Sequence, residues 1–129
     1  MKTQIATNYE QSQRLIACGV NPDVADLARY VDDSLSIMEW DWSTGSYGGT
    51  YPAWSLSALL ELLPRQINDY DIEMTLAISP SRYSKGWIIE YIDGDVSDTL
   101  HSFRGFSLVE GCVLMIEWVT ANGYTLNTK

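Results

Sequence analysis

Histidine is almost absent from this chain: His101 is the single one in 129 residues. Any imidazole acid, base or metal ligand would have to be this side chain, and a site built from several histidines is excluded. The adjacent Ser102 would point to the opposite face of a strand, the wrong arrangement for a nucleophile and its base, so no catalytic residue is assigned. Cysteine is nearly as scarce. Cys18 and Cys112 both fall in segments that read as helices, and their spacing matches neither a metal knuckle nor a redox pair, which predicts free, buried thiols. Basic side chains are few as well, with 8 Lys and Arg against 17 Asp and Glu, a formal charge of −9. That charge repels phosphate backbones and anionic lipid, which argues against nucleic-acid and membrane-surface binding and suits a basic protein partner. Long apolar runs are missing too. Without a bilayer-length window, and with no signal-type stretch in MKTQIATNYEQSQR, the expected location is the cytoplasm.

What is present suffices for one core. A chain of 129 residues, 46% hydrophobic and 19% charged, has the composition of an ordinary globular domain, so residues 1–129 are read as a single unit that folds without a partner.

Local signals order the elements. Thr7 with Glu10 is a capping-box pattern and Gly19 a left-handed terminator, which predicts a helix over Asn8 to Cys18. Asn21 followed by Pro22, with Val24, Leu27 and Ala28 at helical spacing, predicts a second helix to about Tyr30. After Asp32-Asp33, alternation of Met38, Trp40 and Trp42 against Glu39 and Asp41 predicts a strand over Ser34 to Trp42. Residues 43 to 51, STGSYGGTY, read as a glycine loop. Ser55 caps a third helix carrying Leu56, Leu59, Leu60 and Leu63 that stops before Pro64. Ile72 to Ile78 alternates cleanly, with Ile72, Met74, Leu76 and Ile78 on one face. Trp87 to Ile92 is its antiparallel partner, the Asp93-Gly94-Asp95 signal turns the chain, and a weaker strand follows near Thr99 to Arg104. Ser107 with Glu110 opens a long helix to Asn122, with Val109, Cys112, Val113, Ile116 and Val119 as its stripe and Gly123 as terminator. The order ααβαβββα predicts an α+β fold: an antiparallel sheet of about three to four strands with helices mainly on one face.

Few constellations carry chemistry. Asp93, Asp95 and Asp98 form a weak candidate site for a divalent ion, but the loop lacks the EF-hand spacing and Asp-Gly is a hairpin signal. Glu39 and Asp41 share a strand face and can act as paired carboxylates in hydrolysis; a solvated sheet face explains them equally. The glycines of TGSYGGT have neither a following Gly-Lys-Ser/Thr nor Rossmann spacing, so no nucleotide, and no other cofactor, is expected. Five tryptophans supply core volume, while Tyr47, Tyr51 and Trp54 around the glycine loop form a candidate recognition patch.

The run Pro52-Ala53-Trp54-Ser55-Leu56-Ser57-Ala58-Leu59-Leu60-Glu61-Leu62-Leu63-Pro64 resembles a segment of small proteins of Bacteroides-type gut bacteria and their prophage-like or mobile elements. Further landmarks are Glu10-Gln11-Ser12 with Gly19, Gly86-Trp87 and Asn122-Gly123-Tyr124. The group has no assigned activity, so the resemblance implies a bacterial or phage source and no mechanism. The back half, antiparallel strands followed by a long helix, is similar in order to HicB-type antitoxins, although it lacks their Pro-Gly-Cys stretch; this implies an inhibitor-like alternative. The leading expectation is a non-enzymatic protein-interaction module acting through the Ser43 to Tyr51 loop and nearby acidic residues. The enzymatic alternative is a divalent-ion-dependent hydrolase using Glu39, Asp41 or the Asp93 loop.

Overall fold

The structure is a computed structural model that describes residues 4–30, 35–36, 50–69, 72–82, 85–94 and 98–127. Helix α1 (Tyr9–Ala17) leads through a 3-10 turn (Pro22–Val24) to strands β1 (Leu27–Tyr30), β2 (Leu35–Ser36) and β3 (Thr50–Ala53). Helix α2 (Leu56–Leu62) follows, then β4 (Gln66–Asp69), β5 (Ile72–Pro80), β6 (Trp87–Asp93), β7 (Asp98–Gly105) and helix α3 (Leu108–Ala121). The expected α+β class and rough element order are borne out.

The long helix forms where its caps and stripe demand. Ser107 Oγ accepts from the Glu110 amide at 3.1 Å, and Gly123 closes the far end at φ 79°. Val109, Cys112, Val113, Met115, Ile116 and Val119 are all buried, and this face lies across β6 and β7 while other sides of α3 meet α1 and α2. Helix and sheet approach closely at Gly111, where an added Cβ would lie 3.2 Å from Ile89 Cγ2. Helix α2 is likewise capped by Ser55, whose hydroxyl accepts from the Ala58 amide at 3.2 Å. Asp26 fixes that cap, with Oδ1 2.9 Å from the Ser55 amide.

Strands β4 to β7 form an antiparallel meander in the order β4-β5-β6-β7. Its helix-side face carries Met74, Leu76 and Ile78 on β5, and Ile89 and Tyr91 on β6, in the alternation of a half-buried strand. Tyr91 reaches through the core and donates its hydroxyl to Pro64 O at 2.7 Å. The opposite face, with Thr75, Ala77, Ser79, Ile88, Glu90 and Ser102, has no buried member. A bulge between Tyr91 and Ile92 shifts the β6–β7 register, so Tyr91 faces His101 and Ile92 faces Thr99.

Four local expectations change. The second helix reduces to the single 3-10 turn: Asn21 does cap, accepting from the Asp23 amide at 3.0 Å, but the chain then extends and Leu27 to Tyr30 pair with Ala53 to Thr50. Pairing with a segment so distant in sequence outweighs the local helical spacing of Val24, Leu27 and Ala28. The cap of α1 is Asn8 in a reciprocal box with Gln11, because Thr7 is committed elsewhere. Thr7 Oγ1 lies 2.8 Å from Ser12 Oγ and accepts from the Trp54 amide at 3.0 Å, anchoring α1 to the segment after β3. The glycine loop ends earlier than Tyr51, since Thr50 and Tyr51 already belong to β3. Ile72, at the end of its strand, is 46% exposed rather than inward. Of the expected strand from Ser34 to Trp42, Leu35–Ser36 is a strand paired with β1; the remainder lies outside the described residues.

Candidate functional site

The residues singled out in the sequence scatter. Tyr51 and Trp54 are 3% and 0% exposed, so both belong to the interior and neither offers a surface to a partner. Tyr51 packs edge-on against Tyr9 with ring centroids 5.2 Å apart, and Trp54 joins the main core beside Leu15 and Leu59. Both lie in or just after a strand that closes a small sheet, a setting their sequence neighbourhood of glycines concealed. Tyr47, Glu39 and Asp41 lie outside the described residues. Asp93 and Asp98 face each other as the last pair of the β6–β7 ladder, and Asp95 lies outside the described residues. Among the described residues no group of three or more His, Cys, Asp or Glu side chains converges as a metal site.

His101 is part of an aromatic stack. Its ring lies parallel to Trp118 at 4.6 Å and edge-on to Phe103 at 4.7 Å, and Trp118 continues to Tyr124 at 5.7 Å. The imidazole therefore fills the seam between β7 and α3. Both cysteines are free. Cys112 is fully buried, and burial pushes its thiol up to about 12. Cys18 is the C-cap of α1 and only half-buried; burial raises its thiol, and its Sγ donates to Leu15 O at 3.2 Å. Neither is an activated nucleophile.

The strongest polar cluster is structural. Arg14 Nη1 lies 3.1 Å from Glu110 Oε1 and its Nε 3.2 Å from Glu117 Oε1, so one guanidinium ties α1 to two turns of α3. Its hydrogen bonds to Glu117, then those to Glu110, hold its positive charge. Gln11 Nε2 donates to Glu110 at 2.8 Å, Gln4 Nε2 to Gln11 at 2.6 Å, and Ser107 Oγ to Gln4 Oε1 at 2.9 Å. Every member is answered by another. An open groove of about 910 Å³ beside α2 is lined by Leu60, Leu62, Leu63 and Leu76 with Glu61, Arg65 and Asn127. The Asn127 amide groups there are already bonded to the carbonyls of Leu62 and Leu63, at 2.8 Å and 3.0 Å.

What sequence reading missed is a polarity along the meander. Antiparallel pairing gathers Asp69, Asp93 and Asp98 at one end of the sheet. At the other end it gathers the β5–β6 turn, with Arg82 and Lys85, and the end of β7, with Arg104. No Lys or Arg occurs from Gln66 to Ser81 or from Gly86 to Phe103, and no Asp or Glu from Leu76 to Ile89 or from Thr99 to Val109. The signal was available in these charge-free and one-signed stretches, but only the hairpin register turns it into two opposed ends. At the basic end Trp87 is 41% and Phe106 70% exposed, flanking a cavity of about 260 Å³ over Ile89, Phe103, Leu108 and Leu114.

No protein-family model, curated protein or solved structure matches this chain.

Proposed function

We propose that this chain is a non-enzymatic protein-interaction module that binds a basic protein partner. The observation that carries it is the acidic end of the meander, where strand pairing places Asp69, Asp93 and Asp98 at one end of the sheet in a chain whose net charge is −9. Such a field attracts cationic surfaces, speeds their encounter and repels polyanions. The stable, mutually satisfied network around Arg14 and the aromatic setting of His101 support a scaffold more than a reaction centre. The meander followed by α3 supports the inhibitor or antitoxin form of this reading, and the resemblance of the 52–64 segment supports a bacterial or phage-derived source. Among the described residues no helix is long and apolar enough to cross a membrane.

The test is affinity purification of the tagged full chain from its native host at moderate salt, with mass spectrometry of what is retained. The expected result is one stoichiometric protein of basic isoelectric point, released by raised salt and not retained by Asp98→Lys. Retention of no protein, or of one that Asp98→Lys holds equally well, contradicts the proposal.

A further inference from the structure

The basic end of the meander has three properties that occur together nowhere else among the described residues. First, it is cationic in an acidic protein: Arg82, Lys85 and Arg104 are all exposed, and none forms an ion pair with another described residue. Second, it displays its largest apolar side chains to solvent, with Trp87 at 41% and Phe106 at 70% exposure on the rim of the 260 Å³ cavity. Third, it is the terminus of β7, the edge strand of its sheet, whose only strand partner among the described residues is β6.

The end is also tightly built. The Ser81 amide donates to Gly86 O at 2.9 Å, joining the ends of β5 and β6 next to Arg82 and Lys85. Gly86 then abuts the end of β7 so closely that an added Cβ would lie 2.3 Å from Gly105 O. The start of β6, with Trp87, and the end of β7, with Arg104, are therefore held side by side, at a strand whose only partner among the described residues is β6.

We infer that this end of the sheet is a docking site for an extended acidic peptide. The peptide adds to β7 as a further strand, places one apolar side chain in the cavity between Trp87 and Phe106, and brings carboxylates to Arg82, Lys85 and Arg104. Strand addition uses the open backbone groups of an edge for affinity and side-chain pockets for specificity, and each has its counterpart here. The cations decide the sign of the partner, since unpaired like charges would be left facing a basic segment. A nucleic-acid strand fits less well. It has no amides to pair with β7, and its phosphates would meet the repulsion of the remaining acidic surface. Within the described strands, a second copy of the chain offers acid inside strands only as Glu73 and Glu90, on β5 and β6, which are already paired on both sides. This site is separate from the acidic end that carries the proposed function, and neither depends on the other.

The probe is a labelled synthetic peptide, Glu-Val-Glu-Phe-Glu-Val-Glu, titrated into the full chain at low salt with anisotropy as the readout. Saturable binding is expected, weakened about tenfold by Phe106→Ala or Arg104→Glu, as for loss of an anchoring contact. Both side chains are exposed, so the variants should keep the parent thermal transition. N-methylation of alternate peptide amides should also abolish binding, because it removes strand pairing while leaving every side chain in place. The inference is overturned if the peptide does not bind, if a Lys-for-Glu version binds as well, or if N-methylation has no effect. It is equally overturned if labelled oligothymidylate binds more tightly than the peptide, which would make the surface one for nucleic acid.

Discussion

Substituting Gly86 by alanine perturbs the contact on which the basic end depends. The new Cβ would lie 2.3 Å from Gly105 O, 2.9 Å from its carbonyl carbon and 3.4 Å from the Phe106 amide nitrogen. Ordinary carbon–oxygen contacts begin near about 3.3 Å, so the two backbones must separate by about 1 Å. Backbone has no rotamer with which to yield. Overpacking of this kind costs about 1–3 kcal/mol, offset by about 0.4–1 kcal/mol from the lower entropy of the unfolded alanine chain. The net loss of up to about 2.6 kcal/mol corresponds to a fall in Tm of up to about 10 °C for a domain of this size. The matched control is Gly94→Ala in the turn after β6, where nothing lies within 4 Å of the added Cβ. That variant should equal the parent or exceed it by a few tenths of a kcal/mol. Both are measured by urea unfolding followed by tryptophan fluorescence and circular dichroism. Equal stabilities for the two variants would refute the close approach of β6 and β7 at this end.

Three further outcomes follow from the core. Tyr91→Phe removes the hydroxyl that donates to Pro64 O and leaves that carbonyl without its partner, so urea denaturation should show a loss of about 1–2 kcal/mol. Ser107→Ala removes the cap of α3 and its bond to Gln4, for a loss of about 1 kcal/mol by the same assay. Because burial raises the Cys112 thiol from 9.0 to about 12, the fold holds it neutral while the unfolded chain ionises first. Its contribution is thus fully present below pH 9 and is lost as pH rises towards 12, at up to about 1.4 kcal/mol per pH unit. Alkaline melts of the parent should fall more steeply than those of Cys112→Ala, and a thiol reagent should reach Cys112 only after unfolding.

The elements that can be read locally are those whose own residues close their ends. Helix α3 announces itself through Ser107, Glu110, its buried stripe and Gly123, and the β5–β6 pair through the alternation of Met74, Leu76, Ile89 and Tyr91. Strand β1 is opaque because it exists only through pairing with other segments, above all β3: Leu27 meets Ala53 and Ala28 meets Pro52 across the intervening chain. Pro52 sits in a strand that, among the described residues, ends the order β2-β1-β3, a fact no local pattern contains. The same limit hid the charged ends. Arg82, Lys85 and Arg104 are unremarked singly, and become one surface only once Trp87 is paired with Gly105. Trp87 itself continues the inward alternation of Ile89 and Tyr91, yet it remains 41% exposed at the end of its strand.

The opposed ends of the meander are tested most directly by amide chemical-shift mapping of the labelled full chain against a lysine-rich and a glutamate-rich peptide in turn. The lysine peptide should perturb the β6–β7 end around Asp93 and Asp98, and the glutamate peptide the amides of Gly86, Gly105 and Phe106. If both peptides shift the same amides, or neither shifts any, the sheet is not polarised for binding and the interaction-module account fails.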